Sequence, residues 1–179
     1  MDIPVFEQVR IQAQVLVPLV KTLRAELGEE RAHTIVRKAL ADLYRKFGEQ
    51  WWRGQGGRDL GATIAAAFDR FAAGDALDYE VLSKTPDGCD INVTGCRYAQ
   101  FYKEIGAPEL GFLLVCSTDF PMAEGFGPDV QLTRTQTMAF PVNRRNNVTC
   151  AIISLMCGRS LSLCDSNPRT HWGCRRLKA

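Results

Sequence analysis

Near residue 77 the apolar residues of this chain change their period, and that change limits the folds open to it. Up to residue 73 they recur at helical spacing; from 77 to 94 they alternate. TPDG, residues 85–88, stands in the alternating stretch. Pro86 presets φ, Asp87 favours the turn and Gly88 accepts positive φ. Leu77, Tyr79 and Val81 alternate before it, and Ile91 and Val93 after it. Residues 77–94 are therefore predicted to form a β-hairpin.

Three helices are predicted ahead of the hairpin. The first spans 3–27, with Asp2 as N-cap, Gly28 as stop and Pro18 as an interior breaker that should kink or split it. The second spans 29–49, where Ala32, Ile35, Val36, Ala39, Leu40, Leu43 and Phe47 make one stripe and Gly48 lies near the end. His33 sits beside that stripe and is expected to be exposed. After the RGQGGRD loop, the third helix runs from 59 to 73 with Leu60, Ile64, Phe68 and Phe71 on one side. Beyond the hairpin, Thr94 is predicted to cap CRYAQFYKEIG, which turns Tyr98, Phe101, Tyr102 and Ile105 inward and ends at Gly106. APELGFLLVCSTDFP begins another helix, with Pro108 and Glu109 in its first turn. Pro121 should bar its continuation, leaving MAEGFGPD as a loop and 129–139 as a strand. Helices, hairpin, helices and strand in that order predict a single α+β domain: N-terminal helices followed by a small antiparallel sheet with packed helices.

A chain of 179 residues can bury a core without disulfides or metal. No apolar run approaches the ~20 residues that span a bilayer, and MDIPVFEQVR shows no basic stretch followed by an apolar one. The expectation is a cytoplasmic protein with reduced thiols. Its seven cysteines are an odd number, which also argues against a full disulfide framework. On that footing the N-x-[ST] matches at Asn92 and Asn147 carry no meaning. The net charge of +2 divides unevenly: residues 141–179 carry +6 and residues 1–140 carry −4. An acidic body with a basic end gives no support to a nucleic-acid function.

The strand VQLTRTQTMAF, residues 130–140, carries the strongest chemical signal. Val130, Leu132, Arg134, Gln136 and Met138 share one of its faces. An Arg in line with core residues needs an anion, because an unpaired buried charge is costly. Two readings stay open: an ion pair with Asp119 or Glu124, or a clamp for a substrate carboxylate, which a guanidinium matches bidentately. Gln136 could serve the same ligand with one donor and one acceptor. Asp119 follows a predicted helix and would face the negative end of its dipole, which raises a carboxyl pKa and suits a general acid or base. Glu124 lies close in sequence, and two neighbouring carboxylates push their pKa values apart. Cys96 and Cys116 are candidate nucleophiles against the commoner role of small buried hydrophobes. Cys96 is the stronger, because the first turn of a helix favours thiolate. Phosphate-loop, dinucleotide, zincin and serine-hydrolase motifs are all absent. The cysteines at 150, 157, 164 and 174 lack the paired spacing of a zinc site.

DINVTGCRYAQFYKEIGAPELGFLLVCSTDFPMAEGFGPDVQLTRTQT resembles the L-2-amino-thiazoline-4-carboxylic acid hydrolase family, and RIQAQVLVPLVKTLRAELGEERAHTIVRKALADLYRKFGEQWW is similar to that family's helical lead. The likeness covers about residues 5–139 and is densest in the C-R-Y-A-x-F-Y-K-E, D-F-x-M-x-E-G-F and L-T-R-T-Q-T segments. It implies hydrolytic opening of a cyclic amidine-like carboxylate at a non-peptide C–N bond, giving N-carbamoyl-L-cysteine. On that reading Asp119, Glu124 and Cys96 are catalytic candidates, with no metal and no cofactor. Arg134 would hold the substrate carboxylate, Gln136 would orient the ring, and Arg97 is a further substrate-binding candidate. The expected partner is the small-molecule carboxylate, without nucleic acid or membrane, and with a homo-oligomer left open.

The resemblance stops at Pro141. The family's strand is expected to run through a Gly into a closing His-Cys-Asp-Phe motif. This chain instead continues PVNRRNNVTCAIISLMCGRSLSLCDSNPRTHWGCRRLKA, in which Cys164-Asp165 lacks both the preceding His and the aromatic. Periodicity fades there except in AIISLM. The expectation is a 1–140 hydrolase-like domain and an atypical 141–179 tail produced by a frame change or an altered splice or gene end. Loss of the closing motif would also remove a strand and leave a sheet edge unpaired. The rival reading is a genuine replacement segment with its own structure.

Overall fold

The computed structural model describes residues 3–135 and 151–157. Asp2, Gln136 and His171 lie outside the described residues. In chain order the elements are α1 (Val5–Leu27), α2 (Glu29–Gly54), α3 (Leu60–Ala72), β1 (Leu77–Thr85), β2 (Gly88–Cys96), α4 (Arg97–Glu104), α5 (Pro108–Leu114), a short 3-10 turn (Cys116–Thr118), α6 (Asp119–Phe126), β3 (Val130–Arg134) and β4 (Ala151–Cys157). The strands form one antiparallel sheet in the order β1-β2-β4-β3. The α+β class is as the sequence predicts.

The hairpin is present, with Thr85 paired to Gly88 across Pro86–Asp87. Its turn does more than reverse the chain. The Pro86 carbonyl accepts from the Leu60 N–H at 2.8 Å, at the start of α3. Asp59 caps that helix by accepting from the Ala62 N–H at 2.7 Å. A Cβ on Gly61 would sit 2.1 Å from the Thr85 carbonyl oxygen, so only glycine lets the helix and the turn meet. Gly88 does not adopt positive φ; it opens β2 and is buried under α3.

Two cores result. One gathers Phe6, Val9, Ala13, Val17 and Val20 of α1 with Tyr98 and Tyr102 of α4 and Leu110, Leu113 and Leu114 of α5. The other packs Leu60 and Ile64 of α3 and Ala123 and Phe126 of α6 onto Cys89, Ile91 and Val93 of β2. Val130 and Leu132 of β3 close the second core. α2 crosses α6 at two glycines. A Cβ on Gly48 would meet the Met122 carbonyl oxygen at 2.1 Å, and one on Gly125 would meet the Arg45 carbonyl oxygen at 2.2 Å.

Several local expectations are corrected. Pro18 neither splits nor ends α1, which is continuous through it. Pro18 and Gln14 lie on an exposed face, so water can satisfy the Gln14 carbonyl that loses its helical donor, while Ala13, Val17 and Val20 hold the opposite face to the core. Gly48 is an interior contact and not a helix end. Only part of the α2 stripe is core: Ala32 is buried, while Ile35, Leu43 and Phe47 stay 44–46% exposed. His33 is half-buried instead of exposed, and no described residue accepts from or donates to its Nε2. Thr94 does not cap α4; its hydroxyl donates to the Asp78 carbonyl, and Cys96 holds the cap position. Pro121 does not stop a helix. It is the third residue of α6, where a missing N–H costs no helical bond, so MAEGF is helical. The strand expected to be lost with the altered tail is supplied, because β4 enters between β2 and β3 and leaves β1 and β3 as the outer strands. AIISLM supplies that strand, the one stretch of the tail that kept a regular pattern.

Replacing either crossing glycine should push α2 and α6 apart. Gly48→Ala or Gly125→Ala is expected to cost about 1–3 kcal/mol, seen as a lower midpoint in a denaturant melt, whereas Gly54→Ala, which meets nothing within 4 Å, should not.

Candidate functional site

Strand alternation places Arg134 as the sequence predicts. Val130, Leu132 and Arg134 face inward, and Gln131 and Thr133 face out. The Arg134 side chain is only 7% exposed. Its Nη2 donates to Oδ2 of Asp119 in a short, charge-assisted bond. Nη1 donates to the Cys116 carbonyl at 3.2 Å, and the guanidinium lies 5.7 Å from the Phe120 ring centre. Nε is buried with no acceptor among the described residues. The edge strand β3 is thus pinned to the 3-10 turn and to the first residue of α6.

Asp119 begins a helix instead of following one, so the dipole argument changes sign. The positive end of α6 supports its charged form. Burial nevertheless pushes its carboxyl above the usual aspartate range, against the pull of Arg134. The side chain is still 37% exposed, so the carboxylate is anchored at one oxygen and open to solvent elsewhere.

Cys96 and Cys116 share the electrostatic neighbourhood of this pair. Neither is an activated thiol. At Cys96 desolvation raises the thiol pKa, and the backbone N–H groups of Ala99 and Tyr98 only partly oppose it. The helix-start effect expected there exists and loses to burial. Burial pushes the Cys116 thiol up to about 12. Tyr44 of α2 also reaches the site, beside Thr118 and Asp119; burial raises its phenol above the ordinary value. Tyr98 and Tyr102 feel Tyr44 from the first core. The Thr118 hydroxyl is committed to the Val115 carbonyl at 2.6 Å. These groups meet at the seam of the two cores, between α2, the end of β2, the 3-10 turn and β3.

The other candidates are placed elsewhere. Glu124 does not pair with Asp119 or Arg134. It accepts from Arg45 of α2 at 2.9 Å on the exposed side of the α2–α6 crossing. Five residues on one helix put the two carboxylates on different faces, a separation sequence proximity hides. The Arg97 guanidinium donates to the Gly74 carbonyl at 2.8 Å and lies 4.8 Å from the Phe6 ring centre. Tyr44 had no motif to mark it; its place in α2, one turn before Gly48, is the only signal, and that becomes readable once the crossing is known. Among the described residues no group of three or more His, Cys, Asp or Glu could hold a metal ion, and no helix is long and apolar enough to cross a membrane.

An α+β domain with a half-open carboxylate tied to a buried guanidinium is the class of protein these observations define. The sequence model of the L-2-amino-thiazoline-4-carboxylic acid hydrolases matches residues 8–140, and the chain belongs to that family. No curated protein and no solved structure matches it. The family match ends ahead of β4.

Two outcomes check this geometry. Arg134→Gln strands the Asp119 carboxylate and should destabilise the fold by about 2–3 kcal/mol, less than for a fully buried pair because water screens the exposed part of Asp119; urea melts of both proteins measure it. Native-state alkylation at pH 8 followed by peptide mass mapping should find Cys116 about a thousandfold slower than an ordinary thiol, as its thiolate fraction requires.

Proposed function

We propose that the protein opens the ring of a small cyclic amidine-like carboxylate with water, L-2-amino-thiazoline-4-carboxylate being the first substrate to test. One observation carries this reading: Asp119 presents a carboxylate that is held at one oxygen by buried Arg134 and remains partly open. Membership of the hydrolase family supports the reaction class.

In the reaction Asp119 accepts a proton from water as the water oxygen bonds to the amidine carbon. Its raised pKa makes it a better base than an exposed aspartate, and Arg134 keeps it ionised enough to act. The C=N π pair moves to the ring nitrogen, which takes up a proton from solvent. The ring sulfur then leaves with the C–S electron pair and takes the proton held by Asp119, while the new hydroxyl loses its proton to solvent as the carbonyl forms, and the carbon keeps both nitrogens as a urea. The atom count of N-carbamoyl-L-cysteine therefore corrects the bond expected to break: both C–N bonds survive, and the C–S bond opens. Water is favoured over Cys96 or Cys116 as nucleophile, because burial keeps both thiols protonated at neutral pH. Arg134 is assigned first to holding Asp119, since both its terminal nitrogens are engaged there and at Cys116. Its Nε–H has no described acceptor, which leaves a donor for an anion while the ion pair holds. That unpaired Nε–H is the observation that favours a second reading, a small-anion-binding domain without turnover.

Incubation with L-2-amino-thiazoline-4-carboxylate, with mass-spectrometric detection of N-carbamoyl-L-cysteine, separates the two. Turnover supports catalysis; saturable binding without product supports the second reading. Asp119→Asn should lower kcat by roughly 10²–10⁴ while the fold persists. The base must be deprotonated, so kcat/KM should fall as pH drops through the raised pKa of Asp119. In Arg134→Gln the lowering influence of the guanidinium is gone, and that acid limb should move to higher pH.

A further inference from the structure

The outward face of α1 has no partner among the described residues. Phe6, Val9, Ala13, Val17 and Val20 turn to the core, yet Ile11, Val15 and Leu19 on the opposite side are 56%, 67% and 51% exposed. Residues 11–20, IQAQVLVPLV, contain no charged side chain. A surface helix of a monomer normally shows water a polar face; one that is apolar on both sides is a helix covered on both sides.

Beside this ridge runs a groove of about 440 Å³ between α1 and α4. Ile11, Pro18, Phe101 and Ile105 line it, and Ile105 is 40% exposed. The two charges in its wall, Glu7 and Arg10, are bonded to each other at 3.1 Å, and Arg10 also covers the Phe101 ring. The groove therefore offers no unpaired charge to a partner.

We infer that α1 is the self-association face of the protein, and that two copies pack about a twofold axis with the Ile11–Val15–Leu19 ridge of each lying along the groove of the other. A ridge and a groove side by side on one surface are what an isologous contact requires, since each copy must supply both halves. The size is adequate. A helix of this length is roughly 35 Å long and ~10 Å across, so its outer half carries about 600 Å² of accessible surface. The groove walls bring that close to the ~800 Å² per partner of a stable interface. Because the stripe and the groove rim carry no net charge, two identical copies meet without like-charge repulsion.

The test is the mass of the full chain in solution, by sedimentation velocity over a range of concentrations. Wild type should sediment at twice the chain mass. Val15→Glu should raise the dissociation constant at least about a hundredfold by burying a carboxylate in the partner's apolar groove, with an unchanged circular dichroism spectrum. As a second measurement that avoids adding charge, the double variant Val15→Cys, Ile105→Cys should give a disulfide-linked dimer under mild oxidation faster than wild type, whereas Val15→Cys combined with a cysteine in place of exposed Glu80, on β1, should not. A wild-type monomer at every concentration, or a dimer that Val15→Glu leaves intact, overturns the inference.

Discussion

The close approach of α2 to α6 at Gly48 and Gly125 is the contact on which the site depends. Backbone meets backbone there with no room for a Cβ on either side. That proximity holds the start of α6 against α2 and so sets Asp119 beside Tyr44 and within reach of Arg134. Loss of two side chains from a core would ordinarily weaken packing. Here it permits a helix crossing that no larger residue could make, and the gain is position. Arg45 and Glu124 bridge the same two helices on the solvent side, where screening leaves their ion pair a small part of the energy.

From that crossing follows the electrostatic character of the seam. Arg134 is the cation of a partly buried cluster that also holds one carboxyl, two thiols and a phenol. Desolvation raises the pKa of each of those acids, and Arg134 opposes the rise at Asp119, Cys96 and Cys116. One buried guanidinium cannot keep every neighbour ionised. The bonded carboxyl keeps the strongest claim on it, and the thiols stay neutral. The site thus offers an ion pair with a half-open carboxylate, and no activated thiol.

Much of the fold was legible because local rules govern it. The TPDG turn, the alternation on either side of it, the stripe of α3 and the glycine stops at 28 and 106 are short-range features, and the structure keeps them. The inward position of Arg134 was legible for the same reason, since a strand of period two leaves no third direction. What misled was proximity in sequence. Asp119 and Glu124 look like a carboxylate pair, but α6 turns one to Arg134 and the other to Arg45. Pro121 looks like a stop, but it is preceded by a 3-10 turn that lets a new helix begin at Asp119. AIISLM, the stretch of an otherwise irregular tail that keeps its periodicity, is a central strand.

The amino-acid sequence by itself determined the first five helices, the hairpin, the inner face of β3 and the family to which the chain belongs, because periodicity, turn chemistry and motif spacing are properties of neighbouring residues. Tertiary structure decided which anion meets Arg134, which helix end meets Asp119, and whether Cys96 is reactive. Those outcomes depend on distances between segments far apart in the chain and on how much water each group keeps, and both are set only when the two cores close on one another.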